Sequence, residues 1–140
     1  MTESTLLVTM GGQAQVVTFA LDWLLRHGGT VREVVVLHVS PPPSLPVPHA
    51  RIRRALEQLS TEFAGDRYQA TPCRLRLVPI QRESQRLADI TDEADAEAAW
   101  QTIYHLLVTL KVPSRPLHLC IAGGRRIVGL LTLKRCHSAV

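Results

Sequence analysis

Apolar positions in this chain switch repeatedly between a period of two and a period near 3.6, which predicts strands and helices in alternation. Residues 5–10 (TLLVTM) form a short β-type run closed by Gly11-Gly12. Across residues 15–27, Val16, Ala20, Trp23 and Leu24, with Val17 and Leu21 alongside, keep helical spacing. Gly28-Gly29 ends that helix. Residues 33–39 (EVVVLHV) are mostly β-branched and apolar, as in a strand covered on both faces. Prolines at 41, 42, 43, 46 and 48 make residues 40–48 an irregular loop.

From His49 to about Phe63 a second helix carries Ile52, Ala55, Leu56, Leu59 and Phe63 on one stripe. Residues 73–78 (CRLRLV) alternate apolar residues with arginine, so one face is wet, as expected of an edge strand. Residues 81–90 read as a polar connection. Thr91 is placed to cap a third helix whose first turn is acidic, with Ala96, Ala99, Trp100, Ile103, Tyr104 and Leu107 as its buried stripe. Pro113 and Pro116 stop it, and residues 117–129 (LHLCIAGGRRIVG) then give a strand, a glycine turn and the start of a fourth helix.

Four strands alternating with four helices predict a parallel sheet with helices on both faces. Right-handed crossovers leave few topologies, of which third-second-first-fourth is the commonest strand order. It puts the alternating strand at the edge and the largely apolar second strand inside. The winding reverses between the first and fourth strands, and ligands of open α/β sheets bind at such a point, outside the carboxyl ends of the strands. Those ends are the two glycine turns, Gly11-Gly12 and Gly123-Gly124.

Length and composition narrow the picture. The 140 residues make one domain, 1–140, with 46% hydrophobic and 20% charged residues, ordinary for a soluble globular protein. A net charge of +4 is consistent with an anionic partner. Aromatics are only 4%, too few for a base-stacking platform on single-stranded nucleic acid. Cys73, Cys120 and Cys136 are odd in number and widely spaced, which argues for a reducing cytosol over a disulfide scaffold. No apolar run reaches the roughly 18 residues of a membrane span, and the N-terminus lacks a basic leader. A cytoplasmic protein without a membrane partner is the expectation.

Amide N–H groups at a strand–turn–helix junction point outward, and the helix dipole adds positive character. Arg125 and Arg126 beside Gly123-Gly124 turn that junction into a place to hold phosphate. A tight turn with two solvated arginines is the plainer reading. A dinucleotide site fits poorly, because the first turn reads GGQAQ and the second strand ends His38-Val39-Ser40-Pro41 without an acid for the ribose. There is no GxxxxGK[ST], no HExxH or Cys/His cluster and no GxSxG, so no cofactor or metal is expected. What remains is a cationic phosphate-binding crevice.

The blocks LLVTMGGQAQVVTFALDWLL, LADITDEADAEAAWQTIYHLL and HLCIAGGRRIVG resemble the CARF-domain proteins of type III CRISPR systems, and among them the single-domain ring nucleases. The blocks occur in family order and span most of the chain, from Thr5 to about Leu131. The resemblance implies a Rossmann-like two-fold homodimer that binds cyclic oligoadenylate, most often cyclic tetra-adenylate. It also implies metal-independent cleavage to linear di-adenylate with 2′,3′-cyclic phosphate ends, which switches off the antiviral signal. No DNA partner is expected.

By the same resemblance, Met10, Gly11, Gly12 and Gln13 contact the ring, as do Ala122, Gly123, Gly124, Arg125 and Arg126. Gln13 stands where a side chain after the glycines assists cleavage. Arg126 stands where the family's turn carries a lysine that stabilises the scissile phosphate. The family also tends to show Pro at Ala14 and Asn at Asp95, and more sheet after the fourth helix, where this chain runs LKRCHSAV. Two readings of that end stay open, a natural short form and a lost effector domain. The apolar fourth strand and helix, with Leu130, Leu131 and Leu133, are the expected dimer face.

His38, His105 and His118 read first as satisfied core residues, with His38 also a candidate base. The acidic run 89–97 reads as a helix N-terminus, and Asp89 as a candidate for lining the pocket. Two other functions stay open: a sensor that binds the ring without cutting it, and a nucleic-acid-binding regulator, although no helix-turn-helix or wing is visible.

Overall fold

The structure is a computed structural model that describes residues 3–40, 47–65, 68, 73–121, 128, 129 and 132. Its centre is a parallel pair of strands, β1 (Glu3–Thr9) and β2 (Thr30–His38). Residues Val34 to Leu37 of β2 are wholly buried, as are Leu6, Leu7 and Val8 of β1 at 2% exposure or less. A strand's side chains alternate between faces, so these runs feed two cores. Leu6, Val8, Val34 and Val36 join one; Leu7, Val35 and Leu37 join the other.

Two buried faces require two helical layers. Helices α1 (Gln15–Arg26) and α2 (Val47–Ala64) cover the first face through Val17, Leu21, Ala55 and Leu59. Helix α3 (Glu93–Leu110) covers the second through Ala99, Ile103, Leu106, Leu107 and Leu110, joined by Val128. Strands β3 (Arg74–Pro79) and β6 (Leu117–Cys120) flank the central pair, giving the sheet order β3-β2-β1-β6 with every pairing parallel. This is the α/β fold and strand order that the hydrophobic pattern predicts. The edge position of β3 holds too: Arg74 and Arg76 face solvent, and such charges discourage edge-to-edge pairing.

Several boundaries and faces differ from the pattern. Helix α2 begins at Val47, inside the expected loop, because proline is tolerated in a first helical turn, where Pro48 falls. The expected polar connection contains a two-stranded antiparallel ribbon, β4 (Gln81–Arg82) and β5 (Gln85–Arg86). Asp92, not Thr91, caps α3: its Oδ1 accepts from the Asp95 amide at 2.7 Å. Asp95 reaches back past the cap residue, its Oδ2 accepting from the Thr91 amide at 3.1 Å and hydroxyl at 3.0 Å, a variant of the capping box in which the return bond lands one residue earlier. With Asp95 buried, the inward residues of α3 are Asp95, Ala99, Ile103, Leu106, Leu107 and Leu110; Ala99, Ile103 and Leu107 keep their expected places, while Ala96, Trp100 and Tyr104 are only half-buried. On α1, Trp23 is 54% exposed and stacks on His27, while Thr18 takes a buried place.

Cys73 and Cys120 are free and half-buried; burial, then Glu33, pushes the Cys73 thiol up to about 11, so it is an inert thiol. Cys136 and most of the expected fourth helix, including Leu130, Leu131 and Leu133, lie outside the described residues; Val128, Gly129 and Thr132 are helical. Among the described residues no helix is long and apolar enough to cross a membrane.

The two faces of α1 should respond differently to truncation. Leu21→Ala empties a fully buried site and should cost about 2–5 kcal/mol, whereas Phe19→Ala, at a residue 70% exposed, should change stability by about 0.5 kcal/mol or less. Urea denaturation of both variants checks the difference.

Candidate functional site

The carboxyl end of β1 is held by its neighbours on both sides. The Met10 amide donates to the Leu37 carbonyl at 3.1 Å, extending the β1–β2 ladder one step past the strand. On the other side Val8 pairs with Cys120, so the chain leaves β6 at the same end of the sheet as it leaves β1. The winding reverses between these two neighbours, as expected. The β6 turn itself, with Ala122, Gly123, Gly124, Arg125 and Arg126, lies outside the described residues.

Within the β1 turn the expected contacts separate. Met10 is 2% exposed and packs in the core under α1 and α2, so only its backbone faces the turn. Gly11 is half-buried, while Gly12 and Gln13 are exposed. Ala14 is the N-cap of α1 and makes no side-chain cap hydrogen bond, and the first turn carries no acid. Intrahelical bonding begins with the Val16 amide on the Gln13 carbonyl at 3.3 Å and the Val17 amide on Ala14 at 3.1 Å. The amides before these have no acceptor within the helix. Such an end favours an anion.

Glycine at position 12 answers a need for space rather than handedness. Among the described glycines only Gly28 has a positive φ, of 83°. A Cβ on Gly12 would sit 3.0 Å from Arg51 Cβ, 3.6 Å from its Cδ and 3.9 Å from its Cγ. The stem of Arg51, an exposed residue of α2, therefore lies across the turn. Sequence reasoning missed Arg51. The signal was its place early in the helix that follows β2, which starts from the carboxyl edge of the sheet.

A second concavity, of about 470 Å³, lies beside the β4–β5 ribbon and is lined by Arg82, Arg86, Leu87, Asp89, Thr91 and Asp95. The ribbon is tied to the end of β2 by Ile80 N to His38 O at 2.9 Å and Ser40 N to Leu87 O at 2.7 Å. Arg82 donates to Asp95 Oδ1 at 3.3 Å and lies 4.0 Å from Asp92. The Thr91 amide and hydroxyl, reinforced by Arg82, hold the Asp95 carboxyl below its usual range. Asp89 thus lines a pocket, as the acidic run allowed, but one in which Arg82 is already engaged by Asp92 and Asp95.

His38 is 4% exposed, and its Nδ1 bonds the Val39 carbonyl at 2.8 Å, which as an acceptor places the proton of the neutral ring on Nδ1. Burial lowers its pKa, the Val39 bond opposes this, and Arg86 adds to the lowering. This is a satisfied core histidine, and its environment disfavours the imidazolium a base must form. His118 is half-buried, whereas His105 is exposed and not a core residue. Among the described residues no three His, Cys, Asp or Glu side chains are grouped to hold a metal ion.

Against known families, the model described as CRISPR-associated protein NE0113 matches residues 13–136, from Gln13 through both helical layers and across the β6 turn. None of the curated proteins compared with the chain matches it.

The His38 environment sets a pH dependence. Its folded-state pKa lies below the ordinary 6.5, so between the two values the unfolded chain binds more protons. Stability should fall as pH drops below 6.5 and level off once pH passes the lowered value. Denaturation of wild type and His38→Gln from about pH 7.5 to 5 should show a shallower loss in the variant; equal slopes would mean that His38 carries no such term.

Proposed function

This chain belongs to the CRISPR-associated protein NE0113 family, and from that premise we propose that it is a CARF-type ring nuclease acting on cyclic tetra-adenylate. The observation that carries this reading is the reversal of winding between β1 and β6, which brings the carboxyl ends of both strands to one edge of the sheet. The Gly11-Gly12 turn after β1 opens a helix with no acid in its first turn, and the sequence that follows β6 reads Gly123-Gly124-Arg125-Arg126. A two-fold homodimer suits the ligand, since a four-membered ring has two-fold symmetry and each subunit takes two of its four phosphates.

In the proposed reaction a ribose 2′-oxygen attacks the adjacent phosphorus in line and forms a 2′,3′-cyclic phosphate. The 2′-hydroxyl gives up its proton to water as its oxygen attacks, the bond from phosphorus to the 5′-oxygen breaks, and that oxygen takes up a proton from water and leaves as a hydroxyl, so no proton is gained or lost overall. Two such cuts give two linear di-adenylates. Alignment supplies several kcal/mol, and cations facing the developing charge add a few more. Gln13, exposed directly after the glycines, is assigned to orienting the ribose, and Arg126 to stabilising the phosphate. The chemistry needs neither a metal nor a protein nucleophile, and its setting is the cytoplasm.

A sensor that binds without cutting is the second reading, and Arg126 favours it. Arginine holds two phosphate oxygens but does not give up its proton, whereas lysine does.

Labelled cyclic tetra-adenylate incubated with the protein in EDTA should be retained and converted to di-adenylate with cyclic phosphate ends. Retention without product means a sensor, and no retention removes both readings. Replacing Arg125 and Arg126 together by alanine should weaken binding by about 3–6 kcal/mol, at roughly 1.5–3 for each charge-assisted contact.

Single-turnover cleavage by wild type, Arg126→Lys and Arg126→Ala separates charge stabilisation from proton donation. Wild type and Arg126→Lys should cut at similar rates, both well above Arg126→Ala. A wild type as slow as Arg126→Ala, beside a fast Arg126→Lys, makes the protein a sensor.

A further inference from the structure

The stem of Arg51 lies across the β1 turn. Three consecutive carbons of its stem fall within 4 Å of the position a Gly12 Cβ would occupy, the nearest at 3.0 Å. Nε is bonded to Cδ, so the guanidinium begins beside the turn instead of out along the helix. Neither an ion pair nor a side-chain hydrogen bond engages Arg51 among the described residues, unlike Arg32, Arg74 and Arg82, which each face a carboxylate. The anchoring is rigid where it matters. Arg51 Cβ is fixed by the α2 backbone, and α2 is fixed by Ala55 and Leu59 in the core.

The missing side chain at position 12 thus does two things. It leaves the exposed turn without a side chain of its own at that point, and it admits an arginine stem that a Cβ at position 12 would crowd at 3.0 Å. An unneutralised cation held against exposed amides suits a phosphodiester, whose two free oxygens can be shared between them. Nearby Gln13 is uncharged, so the turn's positive side-chain charge comes from α2.

We infer that Arg51 is a ligand-binding residue of the β1 turn, holding one phosphate of the ring against Gly12 and Gln13. The identity of that ligand rests on the proposed function, while the capacity to hold a phosphate does not. In each subunit the assignment gives the β1 turn a cation of its own, independent of Arg125 and Arg126.

The test measures cyclic tetra-adenylate binding by wild type, Arg51→Gln, Arg51→Ala and Arg54→Ala. Arg51→Gln keeps most of the stem and loses the charge; Arg54 is exposed on the same helix and serves as the control for bulk charge. Both Arg51 variants should bind about ten- to a hundredfold more weakly, with a flatter dependence on salt, while Arg54→Ala stays within about twofold of wild type. Affinities unchanged in the Arg51 variants, or lowered equally in Arg54→Ala, overturn the inference and leave the proposed function standing. A wild type that does not bind the ring overturns the proposed function instead. Inorganic pyrophosphate then decides about Arg51: NMR shifts at its Nε–H and at the Gly12 and Gln13 amides, lost in Arg51→Gln, support the phosphate site, and their absence in wild type overturns it.

Discussion

The architecture depends on burying a parallel pair of strands on both faces. Residues Val34 to Leu37 of β2 and Leu6 to Val8 of β1 have almost no exposure, so neither face of the sheet centre tolerates water. Each face therefore needs its own helices, and the connections must cross over the sheet instead of turning back at its edge. Every strand of the four-stranded sheet then ends at the same edge. Once β1 is central, with β2 on one side and β6 on the other, the winding reverses there, the point at which open α/β sheets bind ligands. The place of the candidate site is a consequence of the core.

What that end of the sheet can hold is set by small features around it. The Met10 side chain is drawn into the core while its amide continues the ladder to Leu37, which fixes the point at which the chain turns. Gly12 then lets α2 approach until Arg51 crosses the turn. Ala14 starts α1 without a side-chain cap, so the first amides are not claimed by their own helix. At the start of α3 the opposite choice is made. Asp92 and Asp95 close that N-terminus with carboxylates and occupy Arg82. Two helix starts at the same edge of the sheet thus carry opposite electrostatics, one unclaimed and one neutralised.

The sequence made the fold legible because its information lies in periods. The β-branched run of β2, the alternation Arg74-Leu75-Arg76-Leu77 and the spacing of the three helices each specify a face, and together with right-handed crossovers they specify the strand order. Features that depend on which side chains reach each other were not legible. Thr91 and Asp92 both suit a cap, and only geometry shows that Asp92 meets the Asp95 amide while Thr91 serves the Asp95 carboxylate. The rotation of the α3 stripe follows from the same cluster, since a buried aspartate carries no hydrophobic signal. Trp23 counts as apolar in any pattern, yet it lies outward and stacks on His27.

The site was half legible for a related reason. Glycine pairs at the ends of apolar runs announce turns, and the strand order brings the carboxyl ends of the two strands that precede them to one edge. A glycine does not announce what occupies the space it leaves. At position 12 the sequence suits equally a left-handed backbone, an approaching ligand or an approaching helix. The structure removes the first, with no positive φ at the turn, and shows the third, with Arg51 Cβ at 3.0 Å. Arginines are likewise silent about their partners. Arg82 is neutralised by carboxylates and Arg51 lies across the turn with no such partner among the described residues, though in the sequence both are exposed basic residues near polar segments. Counting charge along the chain therefore overstates what the ribbon offers an anion and overlooks what α2 offers. For an anion at the end of this sheet, the deciding quantity is not the net charge of +4 but which cations remain after internal pairing.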